Sequence, residues 1–244
     1  MPSFDCNEKL KVYLDDIKTK TNRKVRIIEI PKEKMYNMKS AFIHHPKIIQ
    51  ILIVAGSNPK DTEIEQSIAH EATHGLLAYR MRYCIGFFKR KPDEKEKKTV
   101  TLLFTMVTDI VVNNLLQQAG FLPYSPKYPE MVDREIQKMD KDLKLYDDLL
   151  GDLDYRDKHL VFRYILAWGY LTYFELQPGM LDKLMIFTEK FRIHYPSQYA
   201  NVQEVQRVVR KNDIFTESGY RAAIEELLTL WNLNELVELK SVDS

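Results

Sequence analysis

Apolar positions change their spacing several times along this chain, and the changes mark out the predicted elements. Residues 5–20 carry Leu10, Tyr13, Leu14 and Ile17 at helical spacing and predict a short amphipathic helix. Residues 25–30 (Val-Arg-Ile-Ile-Glu-Ile) read as a strand closed by Pro31. Residues 32–40 are polar and turn-like, and residues 41–44 predict a short strand. Residues 47–55 form a β-branched, strongly apolar strand that Gly56-Ser57-Asn58-Pro59 breaks. A helix is then expected from Asn58 to about residue 83, with Asn58 as N-cap, Pro59 at the first position and Asp61 in the first turn. Residues 89–98 are charged at every position except Pro92 and predict a solvated loop.

Residues 99–118 predict a second long helix, apolar nearly all round and so expected in a core. Gly120 ends it, with Pro123 beyond. Residues 121–129, with three prolines and two tyrosines, predict an extended ordered loop. From Glu130 onward the signals are helical only, over residues 130–150, 157–176, 180–194, 199–210 and 217–237. No internal repeat or low-complexity tract appears. The order is a small β section, two helices and a helical C-terminal half, which predicts an α+β fold, mostly helical. It divides into a core over residues 1–125 and a helical C-terminal subdomain, residues 126–244, packed on that core.

Composition narrows the function classes. The 244 residues are 45% hydrophobic and 29% charged, enough to bury a sizeable core. Lys plus Arg is 36 against 35 for Asp plus Glu, so nothing draws the chain to nucleic acid or an anionic membrane. Two cysteines, Cys6 and Cys84, supply neither a disulfide framework nor a four-cysteine zinc site, and fit a reducing compartment. The start, Met1 to Asp5, lacks the basic and apolar runs of a signal peptide. The apolar runs at 48–55 and 160–174 are too short, or interrupted by Arg163, to span a bilayer. A cytoplasmic protein with neither a nucleic-acid nor a membrane partner is expected.

The chemistry concentrates in His70-Glu71-Ala72-Thr73-His74. At about 3.6 residues per turn, His70 and His74 project from one face of the predicted helix and can hold one metal ion, while Glu71 reaches a water on that ion. Ile64, Ile68, Ala72, Gly75, Leu76 and Tyr79 form an apolar stripe on the other side, so the histidines are expected to face a cleft. The strand upstream offers an edge for an extended peptide, or is an ordinary core strand. The helix over 99–118 carries one charged residue, Asp109, with Asn113 four positions on along the same face. A carboxylate there needs a metal or a cationic partner. A catalytic zinc takes three protein ligands and leaves one position open, so Asp109 is the candidate third ligand, with pairing to an Arg or Lys as the alternative. Asn113 is the candidate group behind a ligand histidine. His44 and His45 lie in a predicted surface turn or near the cleft. His159, His194, Tyr124, Tyr128 and Tyr155 are candidate oxyanion donors, none singled out among fourteen tyrosines.

This combination resembles the gluzincin pattern of thermolysin-like peptidases, in which H-E-x-x-H on one helix is followed by E-x-x-x-D on the next. Here the second helix reads Asp109-x-x-x-Asn113, and because Asp is shorter than Glu that helix must come closer. The chain is similar, over residues 41–123, to bacterial metallopeptidase domains that accompany von Willebrand A-like modules. These pair H-E-x-x-H with D-x-x-x-N and a Gly-Phe-(x)-Pro turn, matched by Gly120-Phe121-Leu122-Pro123. The resemblance implies a zincin-like core, one zinc ion per chain held by His70, His74 and Asp109, Glu71 as general base, and a peptide or protein substrate. A different zinc hydrolase, such as a small-molecule amidase, and a non-catalytic metal-binding scaffold module are the alternatives.

Overall fold

The structure is a computed structural model and describes residues 6–35, 40–45, 47–58, 60–149 and 151–241. Parts of two expected turns, residues 36–39 and Pro46, and the expected first helical residue Pro59 lie outside the described residues. The fold is α+β and mostly helical, as the periodicity predicts. The chain forms two compact units: Met1–Tyr83, Val112–Pro126 and Ser241–Ser244 make the first, Cys84–Val111 and Lys127–Lys240 the second.

The first unit is built on a three-stranded sheet of β1 (Lys24–Ile30), β2 (Ser40–His45) and β3 (Ile48–Val54), in the order β1-β3-β2. β1 runs parallel to β3 from Lys24 opposite Ile48 to Ile30 opposite Val54, and β2 runs antiparallel from Ser40 opposite Ile53 to His45 opposite Ile48. β3 is therefore the central strand. Of the two readings, a peptide-pairing edge or an ordinary core strand, the second holds: β3 is paired on both sides, its alternation with Ile49, Ile51 and Ile53 fully buried marks one face turned to the core, and β1 and β2 form the edges.

Helices α1 (Glu8–Thr21) and α2 (Thr62–Tyr79) belong to this unit. The N-cap of α2 is Asp61, not Asn58: its carboxylate accepts from the amides of Glu63 (2.9 Å) and Ile64 (3.4 Å), while the Asn58 side chain accepts from Lys60 N in the turn before. At Gly75 the helix meets the sheet so closely that an added Cβ would stand 2.7 Å from Ile49 Cγ2. On the flank, the buried Tyr13 hydroxyl of α1 donates to Thr73 Oγ1 at 2.7 Å, since the Thr73 hydroxyl itself donates to the carbonyl of Ala69.

The long apolar helix is α3, Glu94–Gln118, which starts five residues before the expected point and takes in half of the charged run assigned to a loop. Asp93 and Glu96 explain the early start: each carboxylate accepts the other's backbone amide, at 2.7 and 3.0 Å, which is a reciprocal capping box. At the far end Gly120, at φ +80°, lets Phe121 N reach back to Leu116 O at 2.9 Å and closes the helix. By length and composition α3 alone among the described helices is apolar enough to cross a membrane, yet 61% of its most apolar window is buried within the protein.

The second unit holds α4 (Tyr128–Asp140), α5 (Leu153–Tyr173), α6 (Pro178–His194), α7 (Pro196–Lys211) and α8 (Glu217–Leu230). It also holds β4 (Ile85–Phe88) and β5 (Val237–Lys240), an antiparallel pair where no strand was expected. The expected helix over 130–150 stops at Asp140, and α4 begins inside the stretch assigned to a loop. In its core Arg163 donates from Nε and Nη2 to both oxygens of Glu135 (3.0 and 2.9 Å), and the Tyr146 hydroxyl also donates to Glu135. Beside them His159 is ringed by Tyr146, Tyr155 and Phe162, and its buried Nδ1 has no hydrogen-bond partner among the described residues.

Two predictions follow from this packing. Gly75→Ala gains about 0.5–1 kcal/mol of helix propensity, but forcing a methyl against a β-branched side chain costs about 1–3 kcal/mol. A net loss of about 1–2 kcal/mol, read as a lower urea midpoint, is expected. For His159, burial first and the Arg163 charge second push the pKa down to about 4. The unfolded chain takes up this proton near pH 6.5 and the folded protein resists it until about 4, so stability falls as pH drops through that window. The urea midpoint of His159→Phe, relative to the parent, should therefore rise steadily between pH 6.5 and 4 and level off above 6.5.

Candidate metal centre

The His-Glu-Ala-Thr-His run lies in the middle of α2, where all five residues are helical. Ala72 and Thr73 face the interior, while His70, Glu71 and His74 are half-buried. The helical spacing brings the two imidazoles together: their Nε2 atoms stand 3.1 Å apart. Ligands about 2.0–2.2 Å from a tetrahedral zinc ion are separated by about 3.3–3.6 Å, so the pair stands a few tenths of an ångström inside ligand spacing.

Asn113 of α3 is buried, and its Oδ1 lies 3.2 Å from His70 Nδ1. A carbonyl oxygen only accepts, so Nδ1 of His70 carries the proton and its Nε2 keeps the lone pair that a metal requires. Asp109 precedes Asn113 by one turn of the same unbroken helix, and one ligand atom from each of His70, His74 and Asp109 lies within 4.8 Å of the others. Asp109 is half-buried rather than enclosed, which corrects the expectation of burial drawn from the apolar character of α3. Two imidazoles and a carboxylate suit zinc and also Fe(II), so the group could hold a metal ion, and its donors do not fix which one.

The pieces around this cluster are tied to it. The turn after α3 is fastened twice, by Gln66 Nε2 of α2 donating to Leu122 O and by Lys9 of α1 donating to Gly120 O, and Phe121 packs on Tyr13 at 5.1 Å between ring centres. From β2, Phe42 lies nearly parallel to the His74 ring at 6.4 Å. Glu71 touches β2 as well: Oε1 accepts from the Ser40 hydroxyl (3.0 Å) and Oε2 from the Phe42 amide (2.8 Å). Ser40 and Phe42 were not among the candidates. They meet Glu71 across about thirty residues, and no local pattern carries such a contact.

The other candidates have surroundings of their own. His44 and His45 end β2, where the Tyr79 ring lies 5.3 Å from His44 and the Tyr79 hydroxyl bonds to the His45 backbone. His159 belongs to the aromatic cluster of the second unit, and His194 Nδ1 stands 3.8 Å from Asp142. Tyr128 and Tyr155 fall in the second unit and the buried Tyr124 in the first.

Removing the acceptor behind His70 tests the arrangement. Asn113→Ala should weaken zinc binding by about 10–100-fold, and Asn113→Asp, which keeps an acceptor, should restore most of it. Competition against a chromophoric chelator reads this, with circular dichroism showing that both variants fold. Compared with protein-family models, with curated proteins and with solved structures, the chain has no match.

Proposed function

We propose that this protein is a zinc-dependent metallopeptidase with a gluzincin-like, zincin-type core, acting on a peptide or protein substrate. The observation that carries the reading is the convergence of His70, His74 and Asp109, with their ligand atoms within 4.8 Å of one another, beside a glutamate in the H-E-x-x-H position. His70, His74 and Asp109 would hold the ion, and Asn113 orients His70 through Nδ1. A bound zinc ion supplies a Lewis acid that brings the pKa of water toward about 7. Glu71 accepts the proton of the attacking water and carries it to the leaving amine, so one carboxylate acts first as base and then as acid. Edge strand β2, whose Ser40 and Phe42 touch Glu71, is where an extended backbone would pair beside the reacting carbonyl, and this favours a peptide over a compact amide.

The test is Glu71→Gln. It keeps the size of the side chain and every metal ligand but removes the proton acceptor. The variant should retain about one zinc per chain by elemental analysis and lose roughly 10²–10⁴-fold in the rate of casein hydrolysis. Cleavage at the parent's rate would rule out this assignment of the base.

A further inference from the structure

The outer edge of β2 is already in use. β3 pairs with one side of it, and α2 bonds to its backbone through two side chains. The Tyr79 hydroxyl accepts from His45 N and donates to His45 O, both at 2.9 Å, with the Arg23 guanidinium 4.1 Å above its ring. The second cap is Glu71, with Oε2 on the Phe42 amide and Oε1 on the Ser40 hydroxyl. An amide that donates to Glu71 points away from β3, into the position an added strand would occupy. The two roles conflict. A general base turns a lone pair to the attacking water, and the two bonds from β2 fix which way the free lone pairs of Glu71 face; one N–H cannot fully serve Glu71 and a peptide carbonyl together.

We propose that the Phe42 amide is a latch on Glu71 that substrate opens; the inference rests on the peptidase reading above. An extended peptide adding to the outer edge of β2 brings one of its carbonyls to Phe42 N–H. Oε2 of Glu71 is released toward the water, and Ser40 keeps Oε1 and sets the direction of the freed oxygen. A bond to a carboxylate is roughly twice as strong as one to a neutral carbonyl. A single amide therefore does not displace Glu71, and a segment that pairs at two or more positions does. Ser40 is in this sense a positioning residue, acting through Glu71.

The test uses the full chain and two measurements. The first is amide hydrogen exchange by NMR: Phe42 N–H should be protected in the parent and exchange at least tenfold faster in Glu71→Ala, with the β3 amides unchanged. The second is casein hydrolysis by zinc-loaded variants. Phe42→Pro removes the N–H at an edge position that tolerates proline, and Phe42→Ala is its control, lacking the ring but keeping the N–H. Relative to the control, Phe42→Pro should raise KM about tenfold without lowering kcat, because the substrate loses an anchor and the base loses only its restraint. Ser40→Ala should lower kcat about tenfold at unchanged KM, with rescue by Ser40→Thr. Phe42 exchange indifferent to Glu71, or a Phe42→Pro that lowers kcat at unchanged KM, would overturn the latch while leaving the peptidase intact. A zinc-loaded parent that leaves casein uncut, with Phe42 still protected through Glu71, would remove the peptidase reading and the substrate-opened step together.

Discussion

A neutral imidazole has one nitrogen with a free lone pair, and what touches its other nitrogen decides which one that is. In His70 the decision is made by a buried amide oxygen on another helix, Asn113 Oδ1 at 3.2 Å. That contact sets the tautomer and leaves the lone pair on Nε2, which stands 3.1 Å from the matching atom of His74. The surrounding structure keeps α2 and the end of α3 at that separation. The Gly75 contact seats α2 on the sheet, Tyr13 holds its flank through Thr73, and Gln66 and Lys9 fasten the turn that closes α3. None of these residues carries chemistry, but each restrains where the imidazoles stand.

The parts of this arrangement that sequence displays are the local ones. Two histidines four apart on a helix share a face wherever the helix goes, and so do Asp109 and Asn113. The glycine that closes α3 was legible because a left-handed residue at a helix end is a local requirement. The start of α3 was legible in principle too, since Asp93-x-x-Glu96 is a capping-box spelling. It was masked by a charged run without apolar periodicity, although Glu and Lys are good helix formers. At α2 two good caps stood three residues apart, and Asn58 was taken into a turn of its own while Asp61 capped the helix.

What sequence hides is pairing at a distance. β4 and β5 have four residues each and join positions 85–88 to 237–240, so neither carries a pattern of its own. The central place of β3 was equally hidden, because an apolar run reads alike in a middle strand and in an edge strand lying on a core. Only the order β1-β3-β2 separates the two, and it makes edges of β1 and of β2, the strand whose backbone reaches Glu71. The site is therefore legible as a list of donors and illegible as a set of neighbours.

The close seat of α2 on Ile49 bears on how relatives of this chain are to be searched for. A β-carbon at the position after the second histidine would force the Ile49 side chain to shift, so the five-letter pattern is expected to extend to six, H-E-x-x-H-G, in a descendant that keeps this helix on this sheet with isoleucine beneath it. That sixth letter is selected by architecture and is indifferent to the reaction. A homologue that has lost its histidines to drift would still be expected to retain the glycine, and one that has lost the glycine has rebuilt the layer beneath.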